Sequence, residues 1–223
     1  MIQPTRILPI RILIADDHPL IRKGLRQVIE AETNFEVIAE AADGQQALRL
    51  ITEHHPQIAI LDVSMPELGG FDVAREAQQR KLTTAIIFLT MHKDKNLFNK
   101  ALDLGAKGYV LKDSALDEIV DALNAVAQGR PFVSAPLSGY LVQRMDRIGL
   151  LAQQVPGLND LTPTEKRVLK LIASYKTSKE IAEELHIHYR TVDNHRTNIS
   201  NKLGLQGSHA LLKFAVEHQA ELA

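Results

Sequence analysis

The chain has 223 residues, 45% of them hydrophobic and 24% charged, with a formal net charge of -1 and no cysteine. That length suits one large or two modest globular domains. The missing cysteines exclude disulfides and thiolate metal sites, and the near-zero charge excludes nucleic-acid binding driven by bulk charge alone.

No apolar run approaches the ~18 residues needed to span a membrane. Met1–Ile10 contains Pro4, Arg6 and Pro9 and lacks the long apolar core of a signal peptide. A cytoplasmic protein with no membrane partner is expected. From Ile10 to about Ala127 the pattern then alternates five times between β-branched apolar runs and helical segments. Strands are predicted at Ile10–Ala15, Phe35–Ala41, Gln57–Asp62, Ala85–Thr90 and Gly108–Lys112. Helices are predicted at Pro19–Ala31, Gly44–Glu53, Phe71–Arg80, Lys95–Leu104 and Ala115–Ala127. This alternation predicts an α/β domain, residues 9–130, with a five-stranded parallel sheet and helices on both faces. Gly105 and Gly108 suit a helix end and turn, and Ser114 suits an N-cap, with Asp117 and Glu118 in the first turn.

Gly129-Arg130-Pro131 stops the pattern. Residues 131–158 read as a partly helical linker, with a helix over Pro136–Leu151 and flexibility around Pro156-Gly157. Residues 159–221 are all helical by pattern, a four-helix domain. Thr162-Pro163-Thr164-Glu165 and Thr177-Ser178-Lys179-Glu180 are capping boxes. A helix from Ser178 to Leu185, a short turn, and a polar helix from Tyr189 to Leu203 give the layout of a helix-turn-helix. Gly204 ends that helix, and a last one is expected from Ser208 to Glu217.

Asp16, Asp17, Asp62, Thr90 and Lys112 each sit at the end of a predicted strand. Ends of parallel strands collect on one edge, where such sheets bind ligands. Three carboxylates meeting there repel one another and call for a hard divalent cation. A carboxylate beside Mg²⁺ and an ammonium is placed to attack a phosphoryl group. His18 and His92 are poorer ligands for a hard cation than carboxylates. In the Tyr189–Leu203 helix, Val192, Ile199 and Leu203 form an inward stripe. Arg190, Asp193, Asn194, Thr197 and Asn201 form a second stripe, rich in amides and hydroxyls that can read base edges. Lys179, Arg196 and Lys202 are placed for phosphates beside it.

Taken in order, these fragments resemble a known family. Ile14-Ala15-Asp16-Asp17-His18, Leu61-Asp62-Val63-Ser64-Met65-Pro66 through Gly70, Leu89-Thr90 and Leu111-Lys112 are similar to a phospho-acceptor receiver. Leu161-Thr162-Pro163, Glu180-Ile181-Ala182, Thr191-Val192 with His195, and Lys202-Leu203-Gly204 are similar to a LuxR-type helix-turn-helix. The chain resembles two-component response regulators of the NarL/FixJ type. The resemblance implies that Asp62 accepts a phosphoryl group from a histidine kinase. It implies that Asp16, Asp17, Asp62 and the Ser64 carbonyl hold Mg²⁺, that Lys112 pairs with carboxylate or phosphoryl oxygens, and that Thr90 and Tyr109 form the switch. It further implies a homodimer when phosphorylated, binding to double-stranded DNA, and RNA polymerase as a candidate partner. Ser178, Thr191 and His195 join the DNA-contacting set on the same basis. In place of family features, Asp113 follows Lys112 where many receivers carry proline. His188 stands where relatives often carry a capping serine, and Asp193 where many carry lysine or another neutral or basic residue.

Two other classes fit less well. A haloacid-dehalogenase-type phosphatase needs Asp-x-Asp, and position 64 is serine. A dinucleotide-binding oxidoreductase needs a glycine-rich turn after the first strand, where this chain has Asp16-Asp17-His18-Pro19. A receiver that serves only to dimerise is disfavoured by the complete acidic pocket with Lys112.

Overall fold

The computed structural model describes residues 8–207 and 209–222. Pro4, Arg6 and the rest of the first seven residues lie outside them, as does Ser208, the predicted start of the last helix. The chain divides after Ser138 into two compact units.

In the first unit, strands β1 (Ile10–Ala15), β2 (Phe35–Ala41), β3 (Ile58–Asp62), β4 (Ala85–Thr90), β5 (Gly108–Leu111) and β6 (Phe132–Val133) form one sheet in the order β2-β1-β3-β4-β5-β6. Every neighbouring pair is parallel. Helices α1 (Pro19–Glu30), α2 (Gly44–His54), α3 (Gly70–Gln79), α4 (Lys95–Asp103) and α5 (Ala115–Ala127) make the crossovers. Five predicted strands are present, and β6 is a sixth. A two-residue strand is too short to show alternation. It forms because Phe132 and Val133 meet Gly108 and Tyr109 on the edge of β5.

Parallel strands covered on both faces are apolar along their length, and β3 is buried at all five positions. On one face Ile12, Ile14, Ile60, Leu89 and Val110 pack with Leu25 and Ile29 of α1 and with Ile119 and Leu123 of α5. Each such side chain stabilises the fold by about 1.5–3 kcal/mol through burial. Phe88 and Tyr109 meet Phe71 of α3 and Phe98 of α4 in edge-to-face contacts. Gly70 is required at the start of α3, since a Cβ there would lie 2.2 Å from the Asp62 carbonyl oxygen.

Asp43 and Asp94 cap α2 and α4 by accepting amide hydrogen bonds. Ser114 behaves differently from expectation. Lys112–Ser114 is a 3₁₀ turn leading into α5, and the Ser114 hydroxyl donates back to the Leu111 carbonyl rather than capping. The turn leaves no room for the extended conformation that a side-chain cap uses.

The second unit contains α6 (Ser138–Gln154) apart from its first residue, α7 (Pro163–Ala173), α8 (Ser178–Leu185), α9 (Tyr189–Lys202), α10 (Ala210–Glu217) and α11 (Gln219–Leu222). Both predicted capping boxes are complete, at Thr162/Glu165 and Thr177/Glu180. The helix expected from Pro136 starts instead at Ser138, after a 3₁₀ turn over Ala135–Leu137. Val168, Ile172, Ile181, Val192, Ile199, Leu211 and Phe214 belong to one core.

Candidate functional site

β1, β3, β4 and β5 run in the same direction, so their C-terminal ends share one edge. Asp16 follows β1, Asp62 ends β3, Thr90 ends β4 and Lys112 follows β5. The Lys112 ammonium bridges two carboxylates, 2.8 Å from Asp16 Oδ2 and 2.7 Å from Asp62 Oδ2, and all three side chains are buried. The Ser64 amide donates to Asp62 Oδ1 at 3.1 Å, and the His18 amide donates to Asp16 Oδ1 at 2.9 Å. One Asp62 oxygen is thus fixed by backbone and the other by charge. Arg22 donates to the Asp16 carbonyl at 2.6 Å and fixes the loop from behind.

Burial is the main cause that pushes the Asp62 carboxyl above its usual range, and Asp16 adds to it; Lys112 and the Ser64 amide oppose. Burial alone would lower the Lys112 ammonium, but Asp16 and Asp62 together raise it. The pocket therefore favours the charged form of Lys112, while at Asp62 burial works against the charge that Lys112 and the Ser64 amide stabilise.

Asp16 Oδ2, Asp17 Oδ1 and Asp62 Oδ2 are buried oxygens that accept no well-directed hydrogen bond. One ligand atom from each of Asp16, Asp17, Asp62 and His18 lies within 4.8 Å of the others. The three carboxylates of this group fit Mg²⁺, which binds through few carboxylates and keeps several waters. The imidazole of His18 was not expected among these groups. Its Nδ1 lies 2.6 Å from Asp17 Oδ1, so it contacts one of the three carboxylates from the exposed side. The adjacency of His18 to Asp17 in sequence was the available signal.

Thr90 is buried, and its hydroxyl oxygen accepts the His92 amide at 3.1 Å. The Tyr109 ring is also buried and packed edge-on between Phe88 and Phe98. Burial pushes its phenol up to about 12, against a smaller opposing pull from Thr90. Thr90 is near enough to act on the phenol, yet the hydroxyl lacks a hydrogen bond of good geometry.

In the second unit, Val192 and Ile199 of α9 and Leu203 at its C-cap face the core. Arg190, Thr191, Asp193, Asn194, Thr197 and Asn201 are exposed, His195, Arg196 and Ser178 are half-buried, and Lys179 is exposed. The Thr197 hydroxyl donates to the Asp193 carbonyl at 3.1 Å, one turn back. Lys202 has protein partners: its ammonium lies 2.7 Å from Glu165 Oε2 and 3.0 Å from the Asp160 carbonyl. The pairing with buried Glu165 was invisible in sequence, because the capping box already accounts for that glutamate.

Residues 12–124 match the family model described as "Response regulator receiver domain", and residues 159–215 match "Bacterial regulatory proteins, luxR family". The transcriptional regulatory protein LiaR of Bacillus subtilis is 36% identical over 194 residues, 87% of this chain and 90% of LiaR. The transcriptional regulatory protein MctR of Rhizobium johnstonii is 33% identical, with 94% of each chain covered. Among solved structures, the RcsB response regulator of Salmonella typhimurium is 28% identical with a TM-score of 0.56, covering 92% of this chain and 97% of that one. A structure of RcsB in complex with DNA is similar at a TM-score of 0.57, 28% identity, and 92% and 97% coverage. The chain belongs to the two-component response regulators, transcription regulators that join a receiver domain to a LuxR-type helix-turn-helix.

Proposed function

We propose that a histidine kinase phosphorylates Asp62, that the phosphorylated chain forms a homodimer, and that α9 then reads promoter DNA in the cytoplasm, with RNA polymerase as a downstream partner. The observation that carries this reading is the Lys112 ammonium shared between buried Asp16 and Asp62. An Asp62 oxygen attacks phosphorus, a new P–O bond forms, and the P–N bond to the donor imidazole breaks with its electron pair returning to nitrogen. Asp16, Asp17, Asp62 and the Ser64 carbonyl would hold Mg²⁺, which would supply positive charge for the phosphoryl oxygens. Lys112 neutralises the same oxygens from the β5 side and loses part of its pull on Asp62 as the acyl phosphate forms. Thr90, at the end of the adjacent strand, donates its hydroxyl to a phosphoryl oxygen. That movement changes the space next to Tyr109, whose hydroxyl has no competing bond to break.

The DNA half rests on the exposed polar stripe of α9 and on the RcsB–DNA relative. Asn194 and Asn201 suit adenine, Arg190 suits guanine or phosphate, and Asp193 suits a cytosine amino group. Among the described residues no helix is long and apolar enough to cross a membrane, in keeping with a cytoplasmic regulator. Incubation with Mg²⁺ and acetyl phosphate, read by intact mass, tests the first step. Wild type gains one phosphoryl group and Asp62→Asn gains none. Full phosphorylation of Asp62→Asn would overturn the assignment.

A further inference from the structure

The start of α9 lacks the oxygen cap that opens four other helices. Asp43, Asp94, Thr162 and Thr177 cap α2, α4, α7 and α8 with side-chain oxygens, which accept hydrogen bonds throughout the neutral range. At the corresponding position of α9 stands His188, in extended conformation, and its Nδ1 accepts the Arg190 amide at 3.2 Å. A ring nitrogen accepts only while it carries a lone pair, so this contact requires a ring with a bare Nδ1. The ring rests on Tyr189, centroids 4.5 Å apart, and the Arg190 guanidinium lies 5.9 Å from the centre of the same phenol ring.

We propose that His188 is a positioning residue that makes sequence recognition by α9 depend on pH: the neutral ring caps the first turn, and the protonated ring releases it. The inference rests on the reading of α9 as the helix that enters DNA. Protonation has two effects of opposite sign. It removes the acceptor for the Arg190 amide and sets a positive charge at the positive end of the helix dipole, beside Arg190, which loosens the turn carrying Arg190 and Asp193. It also attracts phosphate, but that attraction is the same for every sequence. Discrimination between sequences therefore falls while non-specific affinity holds or rises.

Nearby charges do not supply a substitute. On α8, Glu180 is committed to the Thr177 capping box and Glu184 to Lys176, and Lys179 and Glu183 are exposed. His186 is the left-handed C-cap of α8. On α7 and α10, Glu165 pairs with Lys202 at the far end of α9, and Lys213 pairs with Glu217. The His188 ring accepts the Arg190 amide and lies against the Tyr189 ring.

The test uses the full chain and a duplex selected by it from a random pool at about pH 7.5, with a scrambled duplex as reference. Affinities are measured at about pH 7.5 and about pH 5.5, either side of the ordinary histidine range, for wild type and His188→Ser. Wild type is expected to lose about fivefold of its selected-to-scrambled ratio at the lower pH, the equilibrium equivalent of one helix cap. His188→Ser, whose hydroxyl accepts at both pH values, is expected to keep its ratio. An equal loss in both proteins, or none in wild type, overturns the proposal. Nitrogen NMR of His188 and amide-exchange protection at Arg190 decide the cap without DNA. A bare Nδ1 at neutral pH and protection lost on acidification support it, and a protonated Nδ1 at neutral pH overturns it. If no duplex is selected at all, the DNA reading of α9 fails while these two signals still settle the cap.

Discussion

Lys202 and Glu165 tie the two ends of the second unit's core together: the ammonium at the last turn of α9 sits 2.7 Å from a carboxylate at the first turn of α7. Glu165 is buried and also accepts the Thr162 amide at 2.8 Å, and Lys202 reaches on to the Asp160 carbonyl. Burial by itself would raise the Glu165 carboxyl, but Lys202 and Thr162 together hold it below its usual range. A lowered native value means stability that is present above the ordinary carboxylate range and lost as pH falls through the lowered value. Glu165→Gln is therefore expected to flatten the acid limb of the stability curve. Lys202→Ala strands a buried carboxylate and is expected to destabilise the unit by about 1–3 kcal/mol. Thermal melts from neutral pH down into the acid range check both. An unchanged melting temperature in Lys202→Ala would show that the pair contributes nothing.

A second expectation concerns Lys112. Removing it leaves Asp16 and Asp62 as unpaired buried charges, a change that costs about 3–5 kcal/mol where no other cation compensates. Lys112→Ala is expected to melt well below wild type in chelator and to recover more than wild type does on adding Mg²⁺, because a ligand of the native state stabilises it by mass action. Equal Mg²⁺ responses in the two proteins would argue that the carboxylates do not share the cation site.

Phosphorylation is expected to shift the chain toward a dimer. A modification moves a two-state equilibrium only through different interactions with the two states. On the proposed reading those interactions would be a new bond at Thr90 and a changed environment for Tyr109. Light scattering at micromolar concentration with and without acetyl phosphate measures it, and identical mass distributions would count against the switch.

On α9, Asp193→Ala is expected to hold or raise non-specific affinity while relaxing preference at one base pair by about 1–3 kcal/mol. Arg196→Ala is expected instead to weaken all sequences alike and to reduce the salt dependence. Site selection from random duplexes separates the two. A selected site unchanged at every position in Asp193→Ala would mean that α9 is docked in the wrong rotation.

Local rules read most of the fold. Alternating β-branched runs located the first five strands, and Thr-x-x-Glu located two helix starts to the residue. The acidic pocket was legible because a parallel sheet gathers strand ends, so Asp16, Asp62 and Lys112 needed only their order. What sequence could not supply were pairings across distance. Phe132 and Val133 become a strand only against Gly108 and Tyr109. Lys202 reads as an exposed basic residue until Glu165, 37 positions earlier, is seen beneath it. His188 looks like a departure from the usual cap until its ring nitrogen is found in the serine's role. Ser114 fails in the opposite direction, since the residue type suits a cap and the 3₁₀ turn takes the place away.

The β6 strand has a practical consequence. The Ser134 amide, just beyond it, donates to the Tyr109 carbonyl at 3.0 Å, and the Ser134 hydroxyl accepts the Leu111 amide at 3.0 Å and donates to Glu118. A fragment trimmed at Arg130 would lose all of these. It would strip the partner from the residue just before Lys112 and leave β5 as a bare outer strand. Unpaired strand edges recruit other chains. Such a fragment is expected to self-associate through β5 more readily than the longer chain, independently of any phosphoryl group. A fragment carried through Leu137 keeps its sixth strand and should stay monomeric until Asp62 is modified.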